Sequence, residues 1–178
     1  AGEDKAGALR VFQSCWWLIA IICTSVIALL SAALYYIPAA RLLKLHNIGP
    51  SDAKWIIFYL GLSVMLGQFE QLLQSAYRCV GRYPYGSFIK SMFSLSAFGC
   101  MILAVCFGSG PRITALAFAA ANITGTTILC FLVQRDIPWI EYGWRHANFG
   151  EIRALVRPAV AFMGFPIGNA LSLQGALL

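Results

Sequence analysis

Long apolar stretches alternate with short polar loops along this chain. Five stretches have about 20 or more residues, the length at which an α-helix spans roughly 30 Å of hydrocarbon. We name them segments A to E, and they lie at residues 12–37, 55–77, 87–107, 113–133 and 154–178. The pattern therefore predicts an all-α fold, a polytopic membrane helical bundle with five transmembrane segments.

The junctions between the segments contain proline and glycine, which mark turns and helix ends. Ser51 or Asp52 is the predicted N-cap of segment B. Gly81, Pro84 and Gly86 are predicted to form the turn between segments B and C.

Composition supports the membrane class. The 178 residues are 60% hydrophobic and 11% charged, with a mean hydropathy of +0.73, whereas soluble domains are about 45–50% apolar and about 25% charged. The net charge of +6 comes from basic residues scattered over the loops, so it does not indicate binding to nucleic acid. The six cysteines sit mostly in apolar stretches, where cysteine behaves as a small hydrophobic residue. We expect no metal site, no disulfide framework and no cofactor.

The two ends of the chain suggest a piece of a longer protein. The chain starts at Ala1 without a methionine and stops at Leu178 inside an apolar run. The first ten residues contain acids and do not form a signal peptide. We therefore expect a fragment, and one that does not fold stably without its missing partner helices.

Lysine and arginine are unevenly divided between the two sides that five spans define. Nine of the thirteen lie at the N-terminus, the B–C junction and the D–E loop, which share one side: Lys5, Arg10, Arg78, Arg82, Lys90, Arg135, Arg145, Arg153 and Arg157. The other four, Arg41, Lys44, Lys54 and Arg112, lie on the opposite side. The positive-inside rule then predicts a cytoplasmic N-terminus.

Segment B becomes polar in its second half, where Glu70 is the only acidic residue inside any apolar segment. A charge at mid-membrane costs roughly 2.5–3.5 kcal/mol on the insertion scale, so this face should turn toward protein or water. Glu70, Gln74 and Arg78 are spaced i, i+4 and i+8, so they fall near one helix face. Gln71 lies beside that row, and Arg82 follows it.

These five residues form a candidate substrate site. Amides offer donors and acceptors together, and arginine meets phosphate in a bidentate way, so the row suits sugar hydroxyls and a phosphate. The alternatives are structural. Glu70 could pair with a basic residue on a neighbouring helix, the glutamines could join helices, and the arginines could serve topology alone.

Segment E contains a predicted hinge. Pro166 frees a backbone carbonyl and kinks the helix, and Gly164 and Gly168 flank it. Asn169 and Gln174 follow on the far side of the kink. They are further candidates for substrate binding, with packing between helices as the alternative.

Two stretches carry a family resemblance: RPAVAFMGFPIGNALSLQG at residues 157–175 and QSAYRCVGRYPYG at residues 74–86. They resemble parts of the Wzx-type lipid-linked oligosaccharide flippases, in the multidrug/oligosaccharidyl-lipid/polysaccharide (MOP) exporter superfamily. The resemblance covers nearly the whole chain and implies spans three to seven of an incomplete MOP/MATE-like transporter fold. It implies that residues 1–133 are part of the N-terminal lobe, that 134–153 are a cytoplasmic inter-lobe linker, and that 154–178 are the truncated start of the first span of the C-terminal lobe.

The resemblance also implies an alternating-access transporter of the bacterial inner membrane, and not an enzyme. Such a transporter moves an undecaprenyl-pyrophosphate-linked oligosaccharide to the periplasmic leaflet for polysaccharide or lipopolysaccharide (O-antigen) biosynthesis. Membrane lipids and a polysaccharide polymerase are the further partners it implies, and nucleic acid is not one. The family's central cavity is cationic. In this chain no arginine or lysine lies at mid-span, and the basic residues sit at the cytoplasmic mouth.

Two other functions compete with the flippase. A cation-coupled multidrug exporter of the same fold would need an acid within the membrane, and Glu70 could serve. A membrane-embedded glycan polymerase or glycosyltransferase would need acids, arginines or histidines gathered at the membrane boundary. The chain has only seven acids, and none is spaced to pair with a histidine, so the sequence favours transport.

Overall fold

The structure, a computed structural model, describes residues 5–36, 49–143 and 150. This part of the chain contains four α-helices and no strands: α1 (Lys5–Tyr36), α2 (Pro50–Cys79), α3 (Tyr83–Cys106) and α4 (Pro111–Asp136). Each is long and apolar enough to cross a membrane, which agrees with the predicted all-α, multi-pass class. The helices match segments A to D. Segment E, at residues 154–178, lies outside the described residues, so the described structure has four such helices and not the predicted five.

The chain divides into two compact units. One comprises residues 1–18 and 142–178, and the other comprises residues 19–141. The lobe and linker boundaries predicted at residues 133 and 153 remain predictions.

In the unit of residues 19–141, α2 and α4 run parallel and pack along their length. Three polar pairs join them in the same order along both helices: Asp52–Arg112, Glu70–Thr126 and Tyr77–Asp136. Between the last two pairs, Leu73, Leu129 and Val133 are fully buried. The contact between these two helices is therefore the core of this unit.

Helix α3 runs antiparallel to both and completes a three-helix bundle. Gly125 of α4 lies against the Phe93 side chain, and the rings of Phe98 and Phe118 are 5.6 Å apart. Small residues at such contacts let helix backbones approach closely, as expected inside a membrane.

The C-terminal part of α1 runs antiparallel to α2 and contacts it sparsely. Gly61 of α2 lies against the Leu30 side chain. Further along, the Cys23 sulfur lies 3.7 Å from the Met65 carbonyl oxygen. Much of the rest of α1 exposes large apolar side chains, as a lipid-facing helix does.

Two glycines end helices in the way the loop composition suggests. Gly81 has φ +72° and Gly108 has φ +70°, a left-handed conformation that costs glycine little. After α2, the amide N–H of Arg82 bonds to the Tyr77 carbonyl at 2.9 Å, and that of Gly81 bonds to the Arg78 carbonyl at 3.1 Å. This is the Schellman arrangement, and it repeats at Gly108.

Helix starts differ from the sequence prediction. Pro50, Pro84 and Pro111 all lie in the first turn of a helix. Proline is favourable there because its missing N–H would have no helical partner. The N-cap of α2 is therefore Gly49 and not Ser51 or Asp52, and no side chain caps this end.

The predicted turn between segments B and C is correct only at Gly81. Pro84 and Gly86 belong to α3, because proline in a first turn extends a helix toward its N-terminus instead of breaking it.

The described part of the other unit holds an aromatic cluster. The Tyr142 ring lies 4.9 Å from that of Trp16 and 6.2 Å from that of Phe12. Gln13 and Ser14, which adjoin Phe12, are buried.

Candidate functional site

One face of α2 buries its polar residues against α4. Glu70, Leu73 and Tyr77 follow the i, i+3, i+7 spacing of a helix-contact face, and all three are buried. Of the remaining polar residues in this half of α2, Gln74 borders this face and is half-buried, whereas Gln71 and Arg78 lie on other faces and are exposed. The site is therefore divided into an inner set of residues and an outer set.

Glu70 anchors the inner set. Its side chain is 8% exposed, and its carboxylate accepts a hydrogen bond from the Thr126 hydroxyl at 3.0 Å. The same hydroxyl lies 2.8 Å from the Asn122 carbonyl of its own helix. Glu70 thus turns toward protein, as its predicted cost in lipid requires. The partner found is a hydroxyl on α4 and not the basic residue that the sequence offered as an alternative.

Tyr77 forms the second anchor, two turns further along α2. The ring is fully buried, and its hydroxyl donates a hydrogen bond to an Asp136 carboxylate oxygen at 3.0 Å. The Tyr85 ring meets it edge-on at 5.7 Å, and Gly86 lies directly against it. One buried tyrosine therefore ties together the ends of α2 and α4 and the start of α3.

Sequence reasoning missed Tyr77 and Asp136. Tyr77 sits seven residues after Glu70, which is two helical turns, so it occupies the same face. The i, i+7 spacing from Glu70 indicates Tyr77, whereas the i, i+4 spacing indicates Gln74 and then Arg78. Asp136 gave no comparable signal, because it stands at the polar end of its helix.

The outer set contains four of the predicted site residues. Gln71, Arg78 and Arg82 are exposed, and Gln74 is half-buried. Each step of four residues turns about 40° around a helix, so Arg78 lies about 80° away from Glu70. The structure therefore separates Glu70 from the arginines. It leaves the amides and guanidinium groups accessible.

Arg78 is held by an aromatic neighbour. A guanidinium nitrogen donates a hydrogen bond to the Tyr83 hydroxyl at 3.2 Å, and the guanidinium carbon lies 4.4 Å from the centre of that ring. Such a cation–π contact orients arginine without neutralising its charge. Arg82 lies four residues after Arg78 in the sequence, so there are two accessible cations at the short α2–α3 loop.

The remaining predicted residues are in segment E. Asn169, Gln174 and the hinge formed by Gly164, Pro166 and Gly168 all lie outside the described residues. Their proposed roles in binding and bending stay predictions.

In comparisons with protein-family models, curated proteins and solved structures, nothing matches this chain.

Proposed function

We propose that this chain is part of a membrane transporter that flips a lipid-linked oligosaccharide between leaflets by alternating access. The substrate class rests on the sequence resemblance. The observation that supports it in the structure is the accessibility of two arginines, Arg78 and Arg82, and of the Gln71 amide two helical turns before Arg78. The arginines follow at the end of α2, and a neighbouring face of this helix is joined to α4 through Glu70 and Tyr77.

The chemistry of this group suits a sugar pyrophosphate. Guanidinium groups bind phosphate oxygens through paired, charge-assisted hydrogen bonds. Amides both donate to and accept from sugar hydroxyls. By the positive-inside rule the α2–α3 loop faces the cytoplasm, where such a lipid-linked sugar would enter the transporter.

The face of α2 that contacts α4 holds in place the helix that carries Gln71 and Arg78. Alternating access requires helices that move as bodies and keep their own contacts. The Glu70–Thr126 and Tyr77–Asp136 hydrogen bonds join α2 to α4 at two levels. We infer that α2, α3 and α4 move together, while the predicted bend at Pro166 belongs to another part of the transporter.

The test is surface-polysaccharide display by cells that lack their own flippase and carry the full-length protein. The double variant Arg78→Ala/Arg82→Ala is expected to lower display at least tenfold, because hydrogen bonds to charged groups contribute about 1.5–3 kcal/mol each. Arg135→Ala is the matched control, since it removes an exposed cation at the C-terminal end of α4, on the same predicted side of the membrane. Unchanged display at a normal protein level would remove Arg78 and Arg82 from the binding site.

A cation-coupled exporter is the second candidate, and the burial of Glu70 within a candidate span favours it. An acid that carries the coupling ion must change its charge during transport. Glu70→Gln would then abolish transport and leave the protein folded. If Glu70 only joins helices, the same variant would keep transport and alter the amount of folded protein.

A further inference from the structure

A groove lies between the C-terminal part of α1 and the first turns of α2, within the unit of residues 19–141. Its volume is about 440 Å³. Leu34 and Phe58 give it apolar walls, Tyr35 and Trp55 add aromatic rings, and Lys54 contributes the charge. We call it the α1–α2 groove.

The two charged residues at the start of α2, Asp52 and Lys54, lie on different faces of the helix. Asp52 points toward α4, where its carboxylate lies 3.6 Å from the Arg112 guanidinium. Lys54 is two residues further along, about 200° around the helix, and it lines the α1–α2 groove. Among the described residues, the nearby acid Asp52 is thus paired with Arg112, and Lys54 makes the groove positively charged.

The start of α2 borders the groove. Helix α2 begins at Pro50 without a side-chain cap, and the first amide groups of a helix carry a partial positive charge. The groove is lined by Ser51 in this first turn. An anionic group in the groove would therefore meet Lys54 and Ser51 at the start of α2, where Asp52 of the same turn faces α4 instead.

The groove lies where a membrane boundary is expected for these two helices. It lies at the end of two helices that are each long and apolar enough to span a membrane. Tyrosine and tryptophan favour the headgroup level because their rings are partly apolar and partly polar. Lysine there places its stem on apolar surface and its charge in the headgroup region. The groove thus combines polar and charged side chains with apolar walls, as the headgroup and acyl chains of a phospholipid require.

We propose that the α1–α2 groove binds one anionic phospholipid, with its phosphate beside Lys54 and an acyl chain along Leu34 and Phe58. A free phosphate would leave the apolar walls unused. A neighbouring protein helix would leave Lys54 unpaired unless it brought its own acid. This site is separate from Arg78 and Arg82, and it does not depend on the transported substrate.

Native mass spectrometry of the full-length protein in detergent tests the proposal, with phosphatidylglycerol and phosphatidylcholine of equal chain length as probes. Lys54→Ala is expected to weaken phosphatidylglycerol binding about fivefold, since one lysine near an anionic surface contributes about 1 kcal/mol. Lys90→Ala removes a lysine from α3, outside the groove, and is expected to leave binding unchanged.

A second pair of variants tests the shape of the groove. Ser31 lines it and is exposed, so Ser31→Trp is expected to fill the groove and abolish specific binding of phosphatidylglycerol without a change of charge. Ala33→Trp adds the same ring at another exposed position of α1 and serves as the control.

Three results would each overturn the proposal. They are equal binding of the two lipids, equal losses in Lys54→Ala and Lys90→Ala, and unchanged binding in Ser31→Trp. Because all four substitutions are at exposed or half-buried positions, the folded protein is expected to persist in every case.

Discussion

The close contact between Gly86 and Tyr77 yields the sharpest prediction. A Cβ atom added at Gly86 would lie 2.8 Å from both Cβ and Cδ2 of Tyr77 and 2.9 Å from its Cγ. These atoms are near the backbone of a fully buried residue, whose hydroxyl is also bonded to Asp136. The tyrosine cannot swing away, so Gly86→Ala must separate α2 from α3.

The expected change in the free energy of unfolding combines two destabilising effects and one stabilising effect. Overpacking costs about 1–3 kcal/mol, and a weakened hydrogen bond from Tyr77 costs about 0.5–1.5 kcal/mol. Alanine is favoured over glycine in a helix by about 0.8–1.0 kcal/mol. We expect Gly86→Ala to lower the free energy of unfolding by about 2 kcal/mol.

Gly99 provides a control on the same helix. A Cβ atom there would meet nothing within 4 Å, so Gly99→Ala gains the helix preference of alanine without a clash. The assay is SDS unfolding of the full-length protein in mixed micelles. In a Tyr77→Ala background the penalty at Gly86 should shrink but persist, because the contacts with Cγ and Cδ2 are removed while the Cβ atom at 2.8 Å remains. Equal free energies of unfolding for Gly86→Ala and Gly99→Ala would refute the contact.

Two further predictions concern the hydrogen bonds between α2 and α4, measured by the same unfolding assay. Thr126→Val removes the donor from the buried Glu70 carboxylate and should lower the free energy of unfolding by about 1–3 kcal/mol, whereas Thr127→Val, at an exposed position of the same helix, should change it by less than about 0.5 kcal/mol. Equal effects of the two threonine variants would contradict the bond to Glu70. Tyr77→Phe should lower the free energy of unfolding by about 0.5–1.5 kcal/mol. Asp136→Asn should lower it by less, because an amide oxygen can still accept the hydrogen bond. A larger loss in Asp136→Asn than in Tyr77→Phe would exclude the hydrogen bond from the Tyr77 hydroxyl.

The four described helices could be predicted from the sequence because hydrocarbon imposes a simple requirement. A spanning segment must be long, apolar and hydrogen-bonded within itself, so the apolar stretches locate the helices. Their ends were harder to predict. Pro84 and Gly86 resemble turn residues in composition, yet both sit in the first turn of α3, and only the position of Tyr77 explains the need for a glycine there.

The candidate site could be predicted only in part. The polarity of segment B correctly indicated that Glu70 faces protein. Which polar residues are buried depends on the face that α2 turns toward α4, where Leu73 and Val133 are buried. The sequence alone does not fix this contact. The row from Glu70 to Arg78 is therefore divided between a buried face and an accessible one.

Movement of the lipid-linked sugar itself is the most direct test of the proposed function. The full-length protein would be reconstituted in liposomes that contain a fluorescent, pyrophosphate-linked oligosaccharide on a polyprenyl chain. The fraction that reaches the opposite leaflet would be measured by quenching the fluorescence from outside the liposomes. We predict transfer that exceeds that of protein-free liposomes and falls at least tenfold in Arg78→Ala/Arg82→Ala. Transfer no faster than in protein-free liposomes, or equal transfer of an ordinary phospholipid, would contradict the account.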